Sequence, residues 1–205
     1  MHILDRLSPG AMTEDNLAYL AAIGVDYLSV DVPGVSNGHS DHSAAANAIG
    51  HEETVSFLQR AQAMAAAAGL KLFNVCYFPS RAITDNLSGR DDDIEHWLEL
   101  IRAMGIVGVP TLSYNFKHGN FRTPAATGRG GAQYSTFNYA ELPADTNRGN
   151  KVVLVSEDEM FANIRRFHER VMPCAEENGV TMALHPEDPP LQVSQHIQRT
   201  FMKAT

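Results

Sequence analysis

The chain has 205 residues, 44% hydrophobic and 20% charged, with a formal net charge of −8. That suits one large globular domain or two small ones. The acidic balance argues against a nucleic-acid partner, which calls for a basic patch, and against an anionic membrane surface, but leaves open an anionic small molecule bound at a locally positive site.

Cys76 and Cys174 are the only cysteines and form no CxxC pair, so neither a disulfide framework nor zinc-finger spacing is present. The start, MHILDRLSPG, lacks the long apolar core of a signal peptide. No apolar run approaches the ~20 residues of a membrane span. A cytoplasmic protein without a membrane partner is expected.

In chain order, His2-Ile3-Leu4 is a candidate strand. Thr13 is the expected N-cap of a helix whose apolar face holds Leu17, Leu20, Ala21 and Ile23, with Gly24 as its stop. Val25–Val30 is β-branched and aromatic, hence a strand. A polar loop follows from Asp31 to about Gly50. Glu52–Ala68 is predicted helical and ended by Gly69; Leu70–Phe78 is a strand stopped by Pro79. Asp91–Met104 spaces Ile94, Trp97, Leu98 and Ile101 along one helical face. Val109–Phe116 is a strand, and Lys117 to about Val155 is a long Gly-, Thr-, Asn- and Arg-rich connection. Glu157–Asn178 is a helix kinked or interrupted by Pro173 and capped by Gly179. Val180–Leu184 is a strand that ends at His185, and the tail Gln192–Thr205 has room for a short helix.

Strand and helix therefore alternate, which predicts one α/β domain over residues 1–205 with a parallel sheet. The unusual residues follow strands: Asp31-Val32-Pro33-Gly34, Pro79-Ser80-Arg81, Tyr114-Asn115-Phe116-Lys117 and His185-Pro186-Glu187-Asp188. Both (β/α)8 barrels and open doubly wound sheets build their sites at that edge. Alternation alone does not separate the two. No glycine-rich dinucleotide fingerprint follows the first strand.

Three stretches together resemble the mannonate dehydratases, metal-dependent (β/α)8-barrel lyases of hexuronate breakdown. They are Asn86-Leu87-Ser88-Gly89-Arg90-Asp91-Asp92-Asp93-Ile94-Glu95, Val109-Pro110-Thr111-Leu112-Ser113-Tyr114-Asn115-Phe116 and Ala183-Leu184-His185-Pro186-Glu187-Asp188-Pro189-Pro190. The last is similar to the family's His-Pro-Asp-Asp-Pro-Pro signature and is the specific one. Where the family carries a Trp-Thr-Arg-Thr-like segment, this chain has Asn120-Phe121-Arg122-Thr123-Pro124 and then Gly128-Arg129-Gly130-Gly131.

The resemblance implies a TIM barrel of the xylose-isomerase-like kind and dehydration of D-mannonate to 2-keto-3-deoxy-D-gluconate in glucuronate catabolism, with Mn or Fe(II) as cofactor. Such a reaction removes a weakly acidic C2 proton beside a carboxylate and expels the C3 hydroxyl, so it needs a base, an acid and charge stabilisation. His185 is the candidate metal ligand, an imidazole suited to a borderline cation. Tyr114 and Asp188 are candidate catalytic groups. Asn115, Arg122 and Arg129 are candidate substrate-binding residues, arginine being suited to a bidentate carboxylate contact.

Each has a plain structural alternative. Tyr114 and Asn115 could pack at a strand end, and Arg122 and Arg129 could be solvated. Arg90-Asp91 reads most simply as a helix-start ion pair and cap, Cys76 and Cys174 as buried, and His39, His42 and His51 as loop residues. The expected partner is a small sugar acid, with a homo-oligomer left open for a full-length form. Closing a (β/α)8 barrel takes eight strands, whereas about five βα units are legible here. The chain is therefore expected to be an incomplete barrel lacking the last three strands, the N-terminal part of a longer, divergent dehydratase, and inactive alone. A non-catalytic remnant and a sugar isomerase or epimerase of the same barrel type are the alternatives.

Overall fold

The structure is a computed structural model that describes residues 1–33, 49–116, 123–138, 141, 156–186, 193–194 and 197–198. Its centre is a five-stranded parallel sheet in which spatial order follows chain order: β1 (Leu4–Leu7), β2 (Tyr27–Asp31), β3 (Lys71–Cys76), β4 (Thr111–Tyr114) and, after a hairpin described below, β7 (Thr181–Leu184). The long helices are α1 (Glu14–Ala22), α2 (His51–Ala67), α4 (Arg90–Val107) and α5 (Glu157–Glu177), with the four-residue α3 (Arg81–Thr84) ahead of α4. α1 packs on α2, α2 on α4 and α4 on α5, forming a layer over one face of the sheet. Among the described residues no helix is long and apolar enough to cross a membrane.

Local chemistry explains the helix ends. Thr13 Oγ1 accepts from the Asn16 amide at 3.3 Å and so caps α1, as expected. Ser156 and Glu159 form a reciprocal capping box at the start of α5, a signal absent from the sequence reading. Gly24, Gly69 and Gly179 follow α1, α2 and α5 with φ of +90°, +78° and +67°, a region that disfavours a Cβ. Pro173 lies within α5 without ending it.

The core lies between the helices and the sheet. Leu28, Val30, Val75 and Leu112 are fully buried on the strand side and meet Leu58, Ala65, Trp97, Ile101, Met104 and Val171 from the helices. Trp97 is its aromatic hub, edge-on to Tyr77, Tyr114 and Phe167 at 4.8, 5.8 and 4.9 Å between centroids.

Several elements differ from expectation. The first strand begins at Leu4 rather than His2. Helix α3 lies in a stretch read as loop; it is capped by Ser80 Oγ and tied to α5 by Asn163 Nδ2, which donates to the Thr84 carbonyl at 2.8 Å. The connection from Lys117 to Val155 contains an antiparallel hairpin, β5 (Thr123–Thr127) and β6 (Gln133–Thr136). In the tail, which has room for at most a short helix, β8 (Val193–Ser194) and β9 (Ile197–Gln198) instead pair antiparallel.

Candidate functional site

Side chains alternate along a strand, so a sheet covered on one face exposes its other face at every second residue. The helix-covered face takes Leu28 and Val30, Val75, and Leu112 and Tyr114. The opposite face is polar and its register defines two layers. Arg6, Ser29, Asn74, Thr111 and Thr181 lie side by side across the strands. One step toward the strands' C-terminal ends come Asp31, Cys76, Ser113 and Ala183. A further step brings Asn115 and His185, which leave β4 and β7 as neighbours: the His185 amide donates to the Tyr114 carbonyl at 2.6 Å, prolonging the ladder.

This polar face is internally bonded. Buried Asn74 donates through Nδ2 to Ser29 Oγ at 2.7 Å and to Ser113 Oγ at 2.8 Å, joining β2, β3 and β4. Arg6 Nε donates to Asp31 Oδ1 at 2.6 Å, and the Arg6 guanidinium carbon lies 5.4 Å from the centre of the Phe78 ring. Burial pushes the Cys76 thiol up, partly offset by Ser113 and Arg6.

The expected site residues separate. His185 is exposed at the C-terminal edge, and its Nδ1 lies 2.6 Å from the Pro186 carbonyl oxygen. A carbonyl can only accept, so Nδ1 carries the proton and Nε2 keeps a free lone pair. That is the arrangement a metal-binding imidazole uses when a backbone carbonyl orients it. Asn115 is half-buried beside it at the end of β4.

Tyr114, expected at the site, is instead on the helix-covered face. It is 2% exposed, and its hydroxyl lies 2.6 Å from Nε2 of His168 on α5. Burial pushes its phenol up to about 12 and holds His168 below the usual imidazole value. Burial thus favours the neutral form of both partners. Leu112, two residues earlier and also buried, already marks that face.

Arg129 sits at the exposed turn of the hairpin and makes no side-chain hydrogen bond or ion pair among the described residues. Arg122, Glu187 and Asp188 lie outside the described residues, as do His39 and His42. His51 opens α2, its Nδ1 3.2 Å from the Glu99 carbonyl of α4. Arg90 pairs with Asp91 at 3.4 Å, as the helix-start reading expects, but the N-cap is Gly89 and no side chain caps it. Cys76 and Cys174 are buried and free.

Arg6, Ser29, Asn74 and Ser113 were not anticipated on this polar face, whereas Asp31 was noted at its strand end. Their signal is the polar alternation of Tyr27-Leu28-Ser29-Val30-Asp31, Phe73-Asn74-Val75-Cys76 and Leu112-Ser113-Tyr114-Asn115. Among the described residues no group of three or more His, Cys, Asp or Glu comes together. Among the described residues His185 is thus the one candidate donor at this edge for a divalent metal, which makes the fit partial.

The family description D-mannonate dehydratase (UxuA) matches residues 149–203, a stretch that includes α5, β7 and His185. A mannonate dehydratase of Streptococcus pneumoniae (strain 70585) is 28% identical over 153 residues, covering 62% of this chain and 42% of that protein. The solved mannonate dehydratase of Streptococcus suis serotype 2 superposes with a TM-score of 0.73 at 23% identity, over 97% of this chain and 57% of that one. A D-psicose 3-epimerase of Clostridium cellulolyticum H10 superposes at 0.57 with 12% identity, over 97% of this chain and 55% of the other. The two structural likenesses establish an α/β fold of the TIM-barrel type, here as an open sheet. The chain spans about half the length of these relatives. By sequence, the chain is similar to mannonate dehydratases over part of its length.

Proposed function

We propose that the protein is a metal-dependent sugar-acid hydro-lyase that dehydrates D-mannonate to 2-keto-3-deoxy-D-gluconate in hexuronate catabolism in the cytosol. The observation that carries this reading is His185: its Nε2 is left free by the Nδ1 contact with the Pro186 carbonyl, at the C-terminal sheet edge beside Asn115 and within the stretch matched to the dehydratases. A divalent Mn or Fe(II) ion, when bound, would supply the charge stabilisation that an acidified C2–H requires. This chain's own contributions are a ligand nitrogen at His185, a hydrogen-bonding amide at Asn115 for a substrate hydroxyl, and Asp188 as acid or base. Arg122 and Arg129 are proposed substrate-binding residues. Tyr114 is not retained as a catalytic group, because its hydroxyl is engaged by His168 under α5.

The test has a binding arm and a turnover arm. The 205-residue chain is expected to bind Mn(II) weakly, to lose that binding on His185→Ala, and to produce no 2-keto acid. A single imidazole lacks the ligand number of a tight site. A version extended to the length of the matched relatives is expected to form 2-keto acid from D-mannonate in a chelator-sensitive reaction, and to lose most of it on His185→Ala. Chelator-insensitive turnover, or full activity in the His185→Ala protein, would sink the reading.

A further inference from the structure

Arg6 is the basic group of the polar face. It projects from β1, in register with Ser29 and Asn74, and its guanidinium reaches one layer up to Asp31, at the C-terminal end of β2. Phe78, two residues beyond the end of β3, lies against it. An arginine fixed in this way differs from a flexible surface arginine. Asp31, with only 9% of its side chain exposed, takes Nε; the Phe78 ring limits swinging; yet the Arg6 side chain remains 40% exposed.

The chemistry of the remaining edge matters. A guanidinium carries five N–H donors in one plane. With Nε committed to Asp31, the Nη1–Nη2 end remains, and among the described residues it has no partner. That end matches the two oxygens of a carboxylate, a geometry an ammonium cannot reproduce. The protein as a whole is acidic, so a cation held at the sugar-acid side of the sheet needs a reason to be there. An ion pair for stability alone would not require the fork to stay open.

We propose that Arg6 is the residue that anchors the substrate's carboxylate, with Asp31 and Phe78 as positioning residues that aim the guanidinium. This rests on the sugar-acid reading above and deepens it: the acid end of the substrate lies toward β1 and β2, the hydroxyl-bearing chain toward Asn115 and His185. Specificity for an acid over the corresponding polyol then resides in Arg6.

The test uses phenylglyoxal, which modifies accessible guanidiniums, on the 205-residue chain, with peptide mapping of Arg6. D-mannonate, D-gluconate and uncharged D-mannitol serve as protectants at millimolar concentration. D-mannonate is expected to slow modification of Arg6, and D-mannitol to leave it unchanged. Arg6→Met is expected to weaken D-mannonate binding by about 10- to 100-fold, the range for losing a charged hydrogen-bond pair, and to bring it level with D-mannitol. Arg6→Lys keeps a charge for Asp31 but loses the fork, so it is expected to show much of the same loss. Circular dichroism verifies that each variant folds; if Arg6→Met does not, Arg6→Lys and the protection pattern of the unaltered chain still decide. Protection by D-gluconate but not D-mannonate supports the carboxylate anchor and removes the mannonate reading. Binding of D-mannonate without protection of Arg6, or equal binding by folded Arg6→Lys, overturns the anchor and leaves the mannonate reading intact. No protection by either acid overturns the anchor.

Discussion

Tyr114 and His168 set a pH dependence. His168 is half-buried and its imidazole is held below the ordinary value of 6.5 by burial. Burial disfavours the charged imidazolium, so protonation costs solvation. A base whose folded pKa is depressed contributes stability that is fully present above its unfolded value and lost as pH falls toward the folded one. Urea unfolding is expected to show a declining midpoint below about pH 6.5, and His168→Gln should flatten part of that decline. An unchanged pH profile in the variant would remove His168 as its source. Asn74 makes a second prediction at this scale. Asn74→Ala deprives buried Ser29 and half-buried Ser113 of their partner. It should cost about 1–3 kcal/mol, read as a lowered midpoint in urea, with D-mannonate binding affected only in proportion to unfolding.

Helices α4 and α5 meet through a glycine whose role is steric rather than conformational. A Cβ on Gly105 would lie 2.8 Å from Cβ of Asn178, at the end of α5, and 2.8 Å from its Oδ1. In an open helix, glycine to alanine stabilises by roughly 0.5–1 kcal/mol. Here the sign should reverse, because Asn178 is fixed by its Nδ2 contact with the Cys174 carbonyl at 2.8 Å and Cβ cannot rotate away. Gly105→Ala is expected to destabilise by about 1–3 kcal/mol; a raised melting temperature would show that α5 shifts freely. Helices of this length were legible from apolar spacing, and strands β2, β3, β4 and β7 from β-branched residues. The short elements were not. Leu4–Leu7 holds only Leu4 and Leu7 as apolar residues, and the candidate strand was accordingly placed at His2-Ile3-Leu4, short of Arg6. Arg81–Thr84 is a single turn whose stability comes from Ser80 and Asn163, a partner 79 residues from Thr84. The placement of His185 at the strand end was legible from its proline-rich surroundings, but not that of Tyr114, whose face is decided by pairing with Leu184 on β7 and packing under α5. Such long-range choices leave only the two-residue alternation as a local trace.

At the scale of the molecule, the described sheet is polar on one face and helix-covered on the other, with its strands stacked in the order in which they are translated. No strand has to insert between two that are already paired. Each new βα unit meets its neighbour as the last one laid down, so the search at every step is confined to one exposed edge. The Asn74 bridge follows the same order, closing first on Ser29 behind it and later on Ser113 ahead. Synthesis from the N-terminus can therefore proceed by accretion, each edge serving as the template for the next strand while the chain is still on the ribosome. Ribosome-bound chains stalled with Tyr114 just outside the exit tunnel should already protect the amides of β2 and β3 from hydrogen exchange, before α5 or β7 has been made; uniform exchange until release would mean that the sheet forms only as a whole.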